Sequence, residues 1–337
     1  MKDFSPYHPG MDRRRFLLTS LVGALAAPRA ARAQQSAKVP RIVVLSWAPA
    51  GGDAGENTVI EEGLRTLGYT RGTSIVIDHR SAEGREERLP GLAREAVALN
   101  PAVIIAVGTK AALAAKQATK HLPIVTVAGD IVASGIVKNL RRPEGNITGL
   151  SFFTVEMMLK RFELLLEMAP TIRQLVILVM GQPSPAVQES FTAIRTTGQK
   201  KAVDVRMVTV ERVDDVALAF AKLRDTAMTG VIVSNSPVID ARAMEVGRLS
   251  AEHRLIAAMT WKDYARGGGL MAYGPDLAVL WRRAVTYVDR ILRGATPTEL
   301  PIEQPTKFEL VINMKTAKAL GLTVPPALLL RADQVLE

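Results

Sequence analysis

Short β-branched runs alternate with amphipathic segments along most of the chain, and this alternation restricts the fold more than any other feature of the sequence. Period-two strands that each lead into a period-3.6 helix pack well as parallel sheets covered by helices. The extended runs fall at 42–45, 75–77, 103–107, 124–127, 147–151, 175–179, 205–210, 231–233 and 255–258. Several, such as Val103-Ile104-Ile105-Ala106-Val107, are too continuously apolar to keep a wet face, so they belong inside. Helices are expected at 54–67, 86–99, 110–119, 155–168, 185–198, 213–227 and 240–252, the last opening at Asp240 as its cap. The clearest is 276–293. There Leu277, Leu280, Trp281, Ala284, Val288, Ile291 and Leu292 share one face, Asp276 opens the helix, arginines stand near its end and Gly294 follows.

At 337 residues the chain exceeds the usual size of one core, which favours two lobes. The turn cluster Pro143-Glu144-Gly145-Asn146 marks one passage between them. Short extended segments at 270–273 and 300–305 flank the long helix and can carry it back to the first lobe. The expected division is 38–149 plus 271–302 for lobe 1, and 150–270 plus 303–337 for lobe 2. The fold class is therefore α/β, with two doubly wound parallel-sheet lobes and a cleft between them.

The N-terminus reads as a targeting peptide. Arg13-Arg14-Arg15-Phe16-Leu17-Leu18 runs into a small, apolar stretch and then Ala31-Arg32-Ala33, the pattern of a twin-arginine signal cleaved near Ala33. Residues 1–33 are expected to be removed, leaving the mature chain in the periplasm. The apolar stretch is too short for a membrane anchor. The formal charge of +10 includes six Lys or Arg against two Asp in the first 33 residues, leaving about +6 for the rest. Those charges are scattered rather than gathered into a stripe with interleaved aromatics, which argues against a nucleic-acid partner. With no cysteine, the chain has no thiolate metal site, thiol nucleophile or lipid attachment point. The four histidines, His8, His79, His121 and His253, are dispersed without metal-ligand spacing, so neither a metal nor a cofactor is expected. There is no G-x-S-x-G elbow and no P-loop lysine motif, so the sequence offers no catalytic residue.

The closing stretch Leu300-Pro301-Ile302-Glu303-Gln304-Pro305-Thr306-Lys307-Phe308-Glu309-Leu310-Val311-Ile312-Asn313 resembles the periplasmic solute-binding family of ABC transporters that includes aromatic-amino-acid binders. Leu67-Gly68-Tyr69, Ala82-Glu83-Gly84-Arg85, Gly145-Asn146-Ile147-Thr148-Gly149 and Gly268-Gly269-Leu270-Met271-Ala272-Tyr273-Gly274-Pro275 agree with it in order. The resemblance implies a type I periplasmic-binding-protein fold, a Venus flytrap whose two lobes are joined by three crossings. It implies a receptor that closes on a small ligand and presents the closed form to ABC permease and ATPase subunits. Free receptors of this kind are usually monomeric. Two other roles stay open from sequence: a periplasmic sensory partner of a membrane receptor, and an exported α/β enzyme.

Candidate ligand contacts sit where strands end and helices begin, because free N–H groups and the helix dipole favour an anionic group there. Gly108 permits close approach and Thr109 can donate its hydroxyl to a carboxylate; the bland reading of the pair is a turn glycine and an N-cap. Ser46 and Trp47 end the first strand, and Trp47 can stack on a ligand ring or simply anchor a core. Asp130 can pair with a ligand ammonium or cap a helix. Ser234 and Asn235 offer hydroxyl and amide groups from the second lobe, or a turn before Pro237. Phe152, Trp261 and Tyr273 complete the set, with core filling as their alternative. A carboxylate-binding and an ammonium-binding group together point to an amino acid or related small carboxylate.

Overall fold

In the computed structural model, residues 39–49, 56–223 and 229–337 are described; the leader expected at 1–33 lies outside them. The first five extended runs form parallel strands β1 (Arg41–Ser46), β2 (Val76–Ser81), β3 (Val103–Val107), β4 (Ile124–Gly129) and β5 (Ile147–Phe152), hydrogen-bonded in the order β2-β1-β3-β4-β5. The chain leaves β1 through α1 (Glu56–Thr66) to the edge strand β2, then turns back past β1 through α2 (Leu89–Ala98) to β3 and through α3 (Gly108–Ala118) to β4. Right-handed crossovers put helices made before and after such a reversal on opposite faces of the sheet. This double cover is why all five residues of β3 are buried.

The second sheet repeats the plan. After α4 (Thr154–Met168) come β6 (Gln174–Met180), α5 (Pro185–Lys200), β7 (Asp204–Val210), α6 (Asp215–Leu223), β8 (Thr229–Val233), the short turn α7 (Pro237–Asp240), α8 (Ala243–Glu252), β9 (Ile256–Met259), α9 (Lys262–Arg266) and β10 (Met271–Gly274). The helix α10 (Leu277–Leu292) returns to lobe 1, where Gly63 of α1 lets it approach: a Cβ there would stand 3.3 Å from Val285. Then β11 (Glu309–Asn313), α11 (Met314–Ala319), α12 (Pro326–Arg331) and β12 (Gln334–Leu336) finish lobe 2. Its seven strands run β12-β11-β10-β9-β8-β6-β7, with β11 antiparallel to β10 and β12 parallel to β11. On β6 the alternation of side chains is visible in the packing: Leu175 and Ile177 enter one core, while Val176 and Leu178 enter another that is continuous with the core of lobe 1.

The chain passes between the sheets three times, after Phe152, after Gly274, and between Glu303 and Glu309. The expected boundaries need moving. Residues 150–152 stay with the first sheet, since the pairing of β4 with β5 runs on to Gly129 and Phe152. Met271–Gly274 belongs to the second sheet, where β10 pairs with β9 and β11, rather than to the first. Two helix starts also differ. Helix α3 begins at Gly108, two residues earlier than expected, so Thr109 lies within it and Val107 is its N-cap. Asp240 does not cap the helix ending at Glu252; it closes the turn α7, whose cap is Ser236 with Pro237 in the first position. Strands β11 and β12 were not expected from the pattern of runs.

Polar clasps hold the crossings. Arg283 donates to both oxygens of Glu303 at 2.7 and 2.5 Å. Lys262 donates to Asp276 Oδ2 at 2.5 Å and to Glu309 Oε2 at 3.4 Å. Burial alone would push the Asp276 carboxyl up, but Lys262 and the N–H groups of Val279 and Ala278 bring it below its ordinary 3.8. Among the described residues, no helix is long and apolar enough to cross a membrane.

Candidate functional site

Each sheet reverses its winding once, between β1 and β3 in lobe 1 and between β6 and β8 in lobe 2. At such a reversal the two adjacent helices leave toward opposite faces, and the carboxyl ends of the strands are left bordering an open crevice. The two crevices face each other and form one cavity of about 90 Å³, several times the ~10–15 Å³ that a single water needs. Trp47, Gly108 and Thr109 line it from the lobe 1 reversal, and Met180, Gln182, Ser234 and Asn235 from the lobe 2 reversal. Phe152, Asp240, Trp261 and Trp281 close the sides.

The lobes touch across this cavity, and glycines make the contact possible. Gly108 has φ +80, and a Cβ there would stand 2.7 Å from Pro237 Cγ of the other lobe. Gly181 at the end of β6 has φ +61, and a Cβ on it would lie 3.2 Å from Lys110 Nζ and 3.5 Å from Trp47 Cη2. Lys110 itself lies 3.9 Å above the Trp47 ring and pairs with Glu86. Phe152 from lobe 1 meets Trp261 from lobe 2 edge to face, with centroids 5.8 Å apart and planes at 83°.

The polar atoms of the wall are unusual in having so few partners. Trp47, Trp261 and Trp281 are the three tryptophans of the chain, and they are 3%, 5% and 1% exposed. Their indole N–H groups are buried and make no hydrogen bond, and the same holds for Ser234 Oγ and Asn235 Oδ1. An orphaned buried donor or acceptor costs about 1–3 kcal/mol, so native chains rarely keep one, let alone five around a single space. Helix α3 adds further donors, because its N-cap Val107 has no side-chain oxygen to satisfy the first-turn N–H groups. The Thr109 hydroxyl donates instead to the Gly129 carbonyl at 3.4 Å.

Behind the lobe 2 wall lies a second charge. Arg161 of α4 is fully buried, donating from Nε to the Met157 carbonyl and from Nη1 to Thr260 Oγ1 at 2.6 Å. Burial pulls its pKa down to about 10, with the Asp240 carboxylate acting in the opposite sense. It stays a cation at neutral pH, beside the carboxylate that faces the cavity.

Seven of the ten residues singled out from sequence, Trp47, Gly108, Thr109, Phe152, Ser234, Asn235 and Trp261, are brought together on this wall. Three are elsewhere. Ser46 accepts a hydrogen bond from the Ala48 N–H and closes a local turn. Asp130, at φ +38, turns its Oδ2 to the N–H groups of Thr154 at 2.8 Å and Val155 at 3.3 Å, capping the first turn of α4. Burial pushes its carboxyl above 3.8, against the pull of those hydrogen bonds. Tyr273 stacks on Phe308 with centroids 6.0 Å apart, away from the cavity. Sequence reasoning missed Asp240 and Trp281. Trp281 occupies the apolar face of α10, so periodicity assigned it to the core; its signal was its rarity in a chain with three tryptophans.

Residues 51–336 match the sequence pattern of a family described as ABC transporter substrate binding protein. A tyrosine-binding protein of Clostridioides difficile is 25% identical over 266 residues, covering 77% of this chain and 74% of the relative. Two crystal structures share the fold. One, a conserved domain protein from Vibrio cholerae, is 24% identical with a TM-score of 0.78 and covers 88% of this chain and 100% of its own. The other, an ABC domain from Streptococcus pneumonia in complex with L-Trp, is 22% identical with a TM-score of 0.77 and covers 88% and 99%.

Proposed function

The chain belongs to the ABC transporter substrate binding protein family, and on that premise we propose that it is the extracytoplasmic receptor for a small zwitterion, an aromatic amino acid or a close relative. The observation that carries this reading is the set of unpaired buried polar atoms around one cavity. Indole N–H groups and the open N-terminus of α3 suit a carboxylate. Asp240, on the wall of the other lobe, suits an ammonium. The apolar flank of Phe152, Met180 and Trp261 suits a ring. A ligand that spans both lobes favours the form in which they touch, and that form is the one a permease would read. The tyrosine-binding relative and the L-Trp complex support the aromatic class.

Binding without turnover, a monomeric state, delivery to permease and ATPase subunits, and export through the leader at 1–33 belong to the same proposal. Titration calorimetry with L-tryptophan and L-tyrosine tests it, with tryptamine and indole-3-propionate as analogues that each lack one charge. A single saturable site for an amino acid, weakened more than tenfold by loss of either charge, supports the reading. Equal binding of both analogues, or consumption of the ligand, overturns it.

A further inference from the structure

Every passage between the lobes brings one aromatic ring to the same place. Phe153 follows β5 in the first crossing, Tyr273 lies in β10 at the second, and Phe308 precedes β11 in the third. Tyr273 and Phe308 stack with planes at 20° and centroids 6.0 Å apart. Phe153 and Phe308 meet at 6.2 Å with planes at 46°. Three half-buried rings, distant in sequence, thus form a continuous ladder through the hinge, within the separation at which aromatic pairs attract. Two cores meet at it, since Phe308 packs against the core that runs through both lobes and Tyr273 against the core proper to lobe 2.

The ladder is also adjacent to the cavity. Phe152 and Phe153 are neighbours, and strand alternation sends the first to the cavity wall beside Trp261 and the second into the ladder. Phe308 precedes Glu309, which accepts from Lys262, the neighbour of Trp261. Relative movement of the lobes must alter φ and ψ in these crossings, and a stack that joins all three cannot keep its geometry while they change independently.

We propose that the Phe153–Phe308–Tyr273 ladder is the hinge pin of the receptor, a set of positioning residues that biases the lobes toward contact without touching ligand. The proposal concerns lobe motion alone and stands apart from the identity of the ligand. Because the chain has no cysteine, the paired substitutions Glu87→Cys and Glu211→Cys, both exposed and one on each lobe, give unique sites for nitroxide labels. Pulsed electron resonance on this pair, with no ligand added, reads the lobe separation. Phe308→Leu keeps apolar bulk but removes the ring, and is expected to lengthen the mean separation by more than about 2 Å, the scale of hinge rearrangements. Phe308→Tyr keeps the ring and is expected to leave it unchanged. An unaltered separation in Phe308→Leu, with or without a lower melting temperature, overturns the proposal and reduces the ladder to packing. Equal lengthening in both variants overturns it as well.

Discussion

The cavity and the hinge lie side by side and are finished to different degrees. In the hinge, the polar groups named above have found partners: Asp130 caps α4, Lys262 joins Asp276 and Glu309, and Arg283 grips Glu303. In the cavity, indole, hydroxyl and amide atoms are buried with nothing to bond to. Burial without hydrogen bonds is a stability cost that a second molecule can remove, whereas a satisfied network is complete by itself. The contrast separates the part of the protein that recognises from the part that moves. Substitutions in the cavity should change affinity first, and those in the hinge should change stability first.

The largest effect is expected at Asp240. If its carboxylate meets the ligand ammonium, Asp240→Asn should weaken L-tryptophan or L-tyrosine binding by about 2 kcal/mol or more, roughly thirtyfold, in calorimetric titrations. Unchanged affinity would move the ammonium subsite elsewhere. A smaller change with a more telling sign is expected for Trp281→Phe, which keeps the ring and deletes the orphan N–H. It should weaken binding by about 1.5 kcal/mol while stabilising the unliganded protein by about 1 kcal/mol in denaturant unfolding. Loss of both binding and stability would mean that the indole acts through packing. The smallest effect belongs to the hinge side, where Asp130→Ala should cost about 1 kcal/mol of stability through the lost cap and leave affinity untouched. A tenfold loss of affinity there would return Asp130 to the binding site and erase the contrast.

The strands and the long helix were legible because their signals are local. Val103 to Val107 can only be an interior strand, and Asp276 caps α10 with its own side chain, accepting from Ala278 and Val279. Where a side chain points at a strand end was not legible. Ser46 and Trp47 are neighbours, yet one closes a turn and the other lines the cavity; Phe152 and Phe153 divide in the same way between cavity and hinge. That division depends on register against the neighbouring strand and on the lobe across the cleft, and no window of sequence contains either. Asp130 and Asp240 show the same limit. Each follows a parallel strand of its lobe, and only the position of α4's first turn, fixed by the crossing, makes Asp130 a cap, while Asp240 lines the cavity. Strands β11 and β12 escaped notice because they are the last pieces of a sheet whose preceding strand ends at Gly274, well before Glu309.

The three crossings also dictate when this protein can exist during synthesis. Lobe 1 lacks α10 until residue 292 has emerged, and the sheet of lobe 2 lacks its outer strands until residue 336. Lobe 1 can therefore be completed only after most of lobe 2 has been made, and lobe 2 only when its last two strands follow. The partners that complete each core are far apart in sequence, an arrangement associated with slow folding. The nascent chain carries exposed apolar strand surface until those late elements arrive, and a chain that ended before Asp276 would lack α10 of lobe 1 as well as β11 and β12 of lobe 2, disabling both halves at once.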